Sequence, residues 1–204
     1  MGNYVRFPIT NVEGDLVAQY RNPREKLYAS LELNQVAFPK TGMVVSQTPL
    51  GAAFTKANPC ENGMWVVADK AAGVIQAPTG TNDAPIGIVY TTEKEYDMMH
   101  YGLQRFGRKF EGDYPRVGLL GVGDTVTTNC LKHSFANDAA LWAALEAIDT
   151  TPLYVAIDAT DTKAMNAVPA IVDEIPESGI YGKIVKYYTI PNGGKGVKYQ
   201  IMRV

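Results

Sequence analysis

Trp65-Val66-Val67-Ala68-Asp69 and Leu153-Tyr154-Val155-Ala156-Ile157-Asp158 decide the reading of this chain, because they write one strand twice: an aromatic residue, an aliphatic run, and an aspartate at the end. β-branched and aromatic residues pack well on a pleated surface, and short apolar runs bounded by turn residues read as buried strands. The segments around them repeat in the same order. Gly42-Met43-Val44-Val45-Ser46 precedes the first and Gly123-Asp124-Thr125-Val126-Thr127 the second. Pro85-Ile86-Gly87-Ile88-Val89-Tyr90 follows the first, and Tyr181-Gly182-Lys183-Ile184-Val185-Lys186-Tyr187-Tyr188 the second. Measured from Val44 to Trp65 to Ile88 and from Val126 to Tyr154 to Ile184, each connection in the second half is 7 residues longer. Shared Val, Ile and Tyr also occur in unrelated strands, so the pattern leaves open one or two units.

One lengthening has a visible cause. Residues 137–149 predict an inserted helix: Asn137 suits the N-cap, Asp138 the positive helix end, and alanines fill the interior. Leu141, Leu145 and Ile148 form an apolar stripe, with Trp142 beside it. The chain closes in a hairpin, Ile184–Ile190 and Val197–Arg203, joined by Pro191-Asn192-Gly193-Gly194-Lys195-Gly196. The turn dipeptides Asn58-Pro59 and Asn62-Gly63 punctuate the first half. The expected fold is therefore mainly β: one or two small β-barrel or sandwich units, an extended N-terminal arm over 1–40, a first unit over 41–110, and a second over 111–204 carrying the helix. Within the arm, Asn22-Pro23 could cap a short helix over residues 24–33, although Leu27, Leu31 and Leu33 fit a strand equally.

Composition narrows the function. A net charge of -2 argues against a general nucleic-acid binder, which needs a basic surface to neutralise phosphates. The basic clusters Arg21/Arg24/Lys26 and Arg105/Arg108/Lys109 stand beside acidic residues and read as solvated faces or subunit contacts. No apolar run reaches a membrane span, no signal peptide is visible, and Cys60 and Cys130 read as free thiols in a reducing compartment. The expected protein is soluble and made in the cytoplasm.

Chemistry-bearing patterns are sparse. His100 and His133 lie in unrelated contexts, with no Gly-x-Ser-x-Gly elbow and no catalytic cysteine motif, so no catalytic residue, cofactor site or metal site is expected and the chain is read as a non-enzyme. Gly118-Leu119-Leu120-Gly121-Val122-Gly123-Asp124 lacks the Lys-Ser/Thr ending of a phosphate loop and reads as glycines at strand bends. Asp158-x-x-Asp161 could hold calcium weakly, but solvated acids are the simpler reading there and at Asp173, Glu174 and Glu177. The 12 tyrosines, with large contact area and few rotatable bonds, suit a docking subunit.

The order Gly-Met-Val-Val (42–45), Trp-Val-Val-Ala-Asp (65–69), Ala-Ala-Gly-Val-Ile (71–75) and Pro-Ile-Gly-Ile-Val (85–89) resembles the small β-barrel capsid decoration proteins of tailed bacteriophages. The resemblance covers residues 42–90 and, loosely, 123–188. It implies a virion structural role: a head cement subunit on the capsid surface, bound to the major capsid protein and to itself as a homo-oligomer, trimers included, with no nucleic-acid or membrane partner. The chain departs from single-barrel members in its length and its helix. Alternatives are a tail or neck subunit, and a carbohydrate- or small-molecule-binding β protein using exposed Trp65, Trp142 and tyrosines.

Overall fold

The computed structural model describes residues 5–6, 36–37, 44–69, 71–80, 85–90, 109–158, 160, 165–189 and 195–204. His100, Arg105, Arg108, Asp161, the 24–33 segment with its basic cluster, and the 191–194 turn lie outside them.

Among the described residues, the alternating and aliphatic runs form thirteen strands in two sheets. The first sheet contains β3 (Val44–Val45), β4 (Trp65–Asp69), β5 (Val74–Gln76), β6 (Ile86–Val89) and β7 (Val117–Leu119), in the order β3-β7-β6-β4-β5. The second contains β1 (Val5–Arg6), β2 (Val36–Ala37), β8 (Thr125–Thr128), β9 (Lys132–His133), β10 (Tyr154–Ala156), β11 (Ala170–Val172), β12 (Tyr181–Thr189) and β13 (Lys195–Arg203). Its order is β1-β9-β11-β10-β12-β13-β8-β2. Both are open sheets, so the fold is sandwich-like and the barrel alternative is not realised among the described residues. β7 lies beyond residue 110 yet pairs in the first sheet, and β1 and β2 of the N-terminal segment pair in the second.

The repeat read from sequence is present as topology. Inside the larger sheet, β8-β13-β12-β10-β11 reproduces the order β3-β7-β6-β4-β5, every pair antiparallel and the strands in the same chain order. Register sets the counterparts. Trp65 faces Ile88 and Val66 faces Gly87; Tyr154 faces Lys183 and Val155 faces Gly182. The counterpart of Ile88 is therefore Lys183 and not Ile184, one residue away from the match by spacing. The two glycines meet the same obstacle. A Cβ on Gly87 would lie 2.5 Å from Val117 Cγ1 and 2.9 Å from Gly118 O; on Gly182 it would lie 2.9 Å from the Tyr199 ring and 3.0 Å from Gln200 O.

The sheets share a core. Trp65, Ile86, Ile88 and Leu120 pack with Val126, Val155, Ile184, Tyr199 and Ile201. Burying each aliphatic side chain of this cluster contributes about 1.5–3 kcal/mol. At its centre the Trp65 indole N–H donates to Tyr199 Oη at 2.9 Å, with ring centroids 5.9 Å apart in an edge-to-face pair. Burial without that bond would leave a polar group unpaired. A second cluster (Leu50, Phe54, Met64, Val66, Ile75, Val117) fills the other side of the first sheet.

The helix α1 spans Asp138–Glu146, inserted between β9 and β10. Asn137 caps it as expected, its Oδ1 accepting from Ala140 N–H at 2.9 Å. It stops three residues before the expected end, because Ala147 and Ile148 N–H turn to the carbonyls of Ala144 and Leu145 in a tightened last turn. Leu141 and Leu145 enter the shared core, with Ile148 and Trp142 packed at its margin.

Candidate docking surface

Matching the two halves residue by residue exposes an asymmetry. In the first sheet, the face carrying Trp65, Ile86, Ile88 and Leu120 is buried against the second sheet. The counterparts of those residues, by strand register, are Tyr154, Tyr181, Lys183 and Arg203, with Met202 at the bulge beside Arg203. Lys183 and Met202 are exposed, and Tyr154 and Tyr181 are half-buried. A face that one half uses for packing is thus offered to solvent by the other.

Its chemistry is specific. Tyr154 and Tyr181 stack edge-to-face with centroids 6.0 Å apart, and the Arg203 guanidinium lies 4.8 Å over the Tyr181 ring. Arg203 is held there by donating to Gly179 O at 2.7 Å and Pro176 O at 2.6 Å. Fixed aromatic and arginine side chains lose little entropy on contact, which suits them to protein interfaces. Lys183 and Lys186 are exposed on β12, and Lys198, cross-strand from Lys186, is half-buried. β8, β10, β12 and β13 contain no Asp or Glu, so this face is basic on a chain of net charge -2. The exposed acids Asp173, Glu174 and Glu177 sit on the loop between β11 and β12, with half-exposed Ile175 among them. Bulges in the β12–β13 pairing, between Tyr181/Gly182 and Ile184/Lys186, locally change which side chains face outward.

The other singled-out residues go elsewhere. Trp65 is fully buried, which corrects the reading of it as an exposed ligand-stacking residue; its indole N–H is committed to Tyr199. Trp142 is half-buried beside Tyr187, centroids 6.2 Å apart. His133 is wholly buried, Nε2 3.6 Å from Asp138 Oδ1; burial lowers its pKa more than Asp138 raises it. Cys60 and Cys130 are buried and not joined in a disulfide, and desolvation, reinforced by Glu61, pushes the Cys60 thiol well above its usual range. Burial also raises Tyr188, to about 12. Asp158 faces inward: its Oδ1 accepts from Thr160 N–H at 2.9 Å and Thr160 Oγ1 at 2.6 Å, and its Oδ2 lies 3.5 Å from Lys132 Nζ. No group of three or more His, Cys, Asp or Glu side chains converges on a metal position among the described residues. In the 118–124 segment, Gly123 adopts φ 97° and the Asp124 carboxylate accepts from Gly121 N–H at 2.7 Å. That is a strand bend, formed around a buried aspartate.

Sequence reasoning missed Lys132 and Asp124, both fully buried. Neither residue's sequence neighbours, Gly123 and Thr125 beside Asp124 or Leu131 and His133 beside Lys132, give a local sign that its side chain will be buried. No helix among the described residues is long and apolar enough to cross a membrane. Comparison with known protein families, curated proteins and solved structures found no match.

Proposed function

We propose that this chain is a virion structural protein, a decoration subunit that lays the outer face of its eight-stranded sheet on the shell of a phage head. The observation carrying the reading is the basic, tyrosine- and methionine-bearing face of Tyr154, Tyr181, Lys183, Met202 and Arg203, whose counterpart in the first sheet is a packed interface. Tyrosine, methionine and arginine provide the contact area, and the lysines around them favour an acidic partner surface and steer encounter. The sequence resemblance at 42–90 supplies the identity of the shell.

Mixing purified protein with undecorated heads tests it. Saturable binding and a gain in the heads' heat resistance are expected, both lost in Tyr181→Ala/Lys183→Glu with the fold retained. Binding to duplex DNA in place of heads, with affinity falling steeply as salt rises, would overturn the protein-docking reading. Labelling confined to the tail in virion micrographs would move the subunit to the tail or neck.

A further inference from the structure

The two halves differ at one more matched position, and there the difference leaves a groove. Gly51 N–H donates to Ile75 O at 2.9 Å, and Lys132 N–H donates to Pro169 O at 2.9 Å. Since Val67 pairs Gln76 and Ala156 pairs Ala170, Ile75 and Pro169 are counterparts, and so are Gly51 and Lys132. The preceding leucines agree, Leu50 and Leu131 being 1% and 0% exposed. The return bond also differs as it should: Ile75 N–H donates to Pro49 O, whereas proline at 169 has no N–H to give.

Lys132 fills its position completely. The side chain is fully buried, and Nζ lies 3.3 Å from Asp158 O and 3.5 Å from Asp158 Oδ2. The counterpart carboxylate in the first half is Asp69, four residues after Trp65 as Asp158 is four after Tyr154. Its Oδ1 accepts from the N–H groups of Ala71 and Ala72 at 2.9 Å, and its Oδ2 lies 3.3 Å from Gln76 Nε2. With glycine at 51, this position itself contributes no side chain to the sheet edge. An open groove of about 510 Å³ is found there, walled by Leu50, Gly51, Ala53, Val74, Gln76 and Glu111. A Cβ on Gly51 would lie 3.7 Å from Val74 Cγ2 and 3.8 Å from Gln76 Cγ, ordinary contact with two of those walls.

We propose that this groove is a seat for an alkylammonium chain, such as a lysine side chain presented by another protein: the aliphatic stem lies on Ala53 and Val74, and the ammonium meets the carboxylate of Glu111. A long apolar stem with a cationic head matches a groove that is apolar along its wall and acidic at its rim. The counterpart position shows the same fold holding that group. The seat lies on the first sheet, away from the docking face, and its test uses no phage particle.

The full chain is titrated with Nα-acetyl-lysine methylamide, its neutral isostere Nα-acetyl-norleucine methylamide, and cadaverine, reading amide chemical shifts of Gly51, Val74 and Gln76. Saturable shifts with the lysine amide are expected, with a Kd on the order of millimolar for so small a ligand. The isostere and Glu111→Gln should each bind several-fold more weakly. Tighter binding of the lysine amide than of cadaverine would identify a protein lysine as the source, and the reverse a free diamine. Gly51→Lys, whose own side chain would enter the seat, should abolish the shifts and raise Tm relative to Gly51→Ala. Equal response to the norleucine amide, absence of saturable shifts, or a Gly51→Lys chain that still binds or melts below Gly51→Ala would each overturn the proposal.

Discussion

Replacing Tyr199 by Phe removes one oxygen atom from the point where the two sheets meet. Both rings are fully buried, so water cannot replace the lost acceptor and the Trp65 indole N–H is left unpaired. A neutral hydrogen bond contributes about 0.5–1.5 kcal/mol, but stranding its buried partner raises the loss to about 1–3 kcal/mol. The edge-to-face contact itself survives, since Phe keeps the ring. For a chain of this length about 1 kcal/mol moves Tm by roughly 2–4 °C, so Tyr199→Phe should lower it by roughly 2–12 °C. Trp65→Phe removes the donor instead, and the double variant should cost less than the sum of the singles, because neither partner is then stranded. Calorimetry on the four proteins measures this, and it should show one transition throughout, since Trp65 belongs to the first sheet and Tyr199 to the second. Additive losses, or two transitions of which each variant shifts only one, would refute the shared core.

Three further outcomes are expected. Gly87→Ala and Gly182→Ala should each cost about 1–3 kcal/mol in chemical denaturation, Gly87 more, because its new methyl would sit 2.5 Å from Val117 Cγ1 against 2.9 Å from the Tyr199 ring. Folding holds His133 below its unfolded pKa of about 6.5, so the unfolded chain takes the proton first: stability is full above that value and falls as pH drops below it. Thermal melts from about pH 7.5 to 5 should show that fall, and His133→Gln should flatten it. Asn137→Ala should cost about 1 kcal/mol by removing the cap on Ala140 N–H, read as lower helical ellipticity and Tm.

Much of the architecture was legible because the signals were local. Asn137 before an alanine-rich run marked the start of α1, since cap and propensity are properties of adjacent residues. The aliphatic runs at 65–69, 86–89 and 154–156 marked strands for the same reason. Long-range facts were not legible. Nothing beside Lys132 announces Asp158, and nothing beside Trp65 announces Tyr199, 134 residues away. Trp65 looked available to a ligand because tryptophan serves cores and binding sites alike, and only the packing decides which.

The one-residue slip between sequence spacing and true register explains why the candidate surface stayed hidden. Spacing matched Ile88 with Ile184, two buried isoleucines, and so hid the asymmetry; register matches Ile88 with Lys183, and the asymmetry appears. A shift of one residue in a strand exchanges its faces, so it exchanges core for surface. The anchor of the correct match is the glycine, since Gly87 and Gly182 each sit where a Cβ would strike the neighbouring strand, a demand that admits no slip. Once the glycines are superposed, the inward residues Val66 and Val155 agree as core must, while the other face diverges from Trp65, Ile86 and Ile88 to Tyr154, Tyr181 and Lys183. Among the described residues, it is the first half's version of that face that has a sheet lying on it. The exchange of apolar residues for tyrosine and lysine keeps the second half's version compatible with water while retaining side chains suited to contact, as a surface that is alternately free and bound requires.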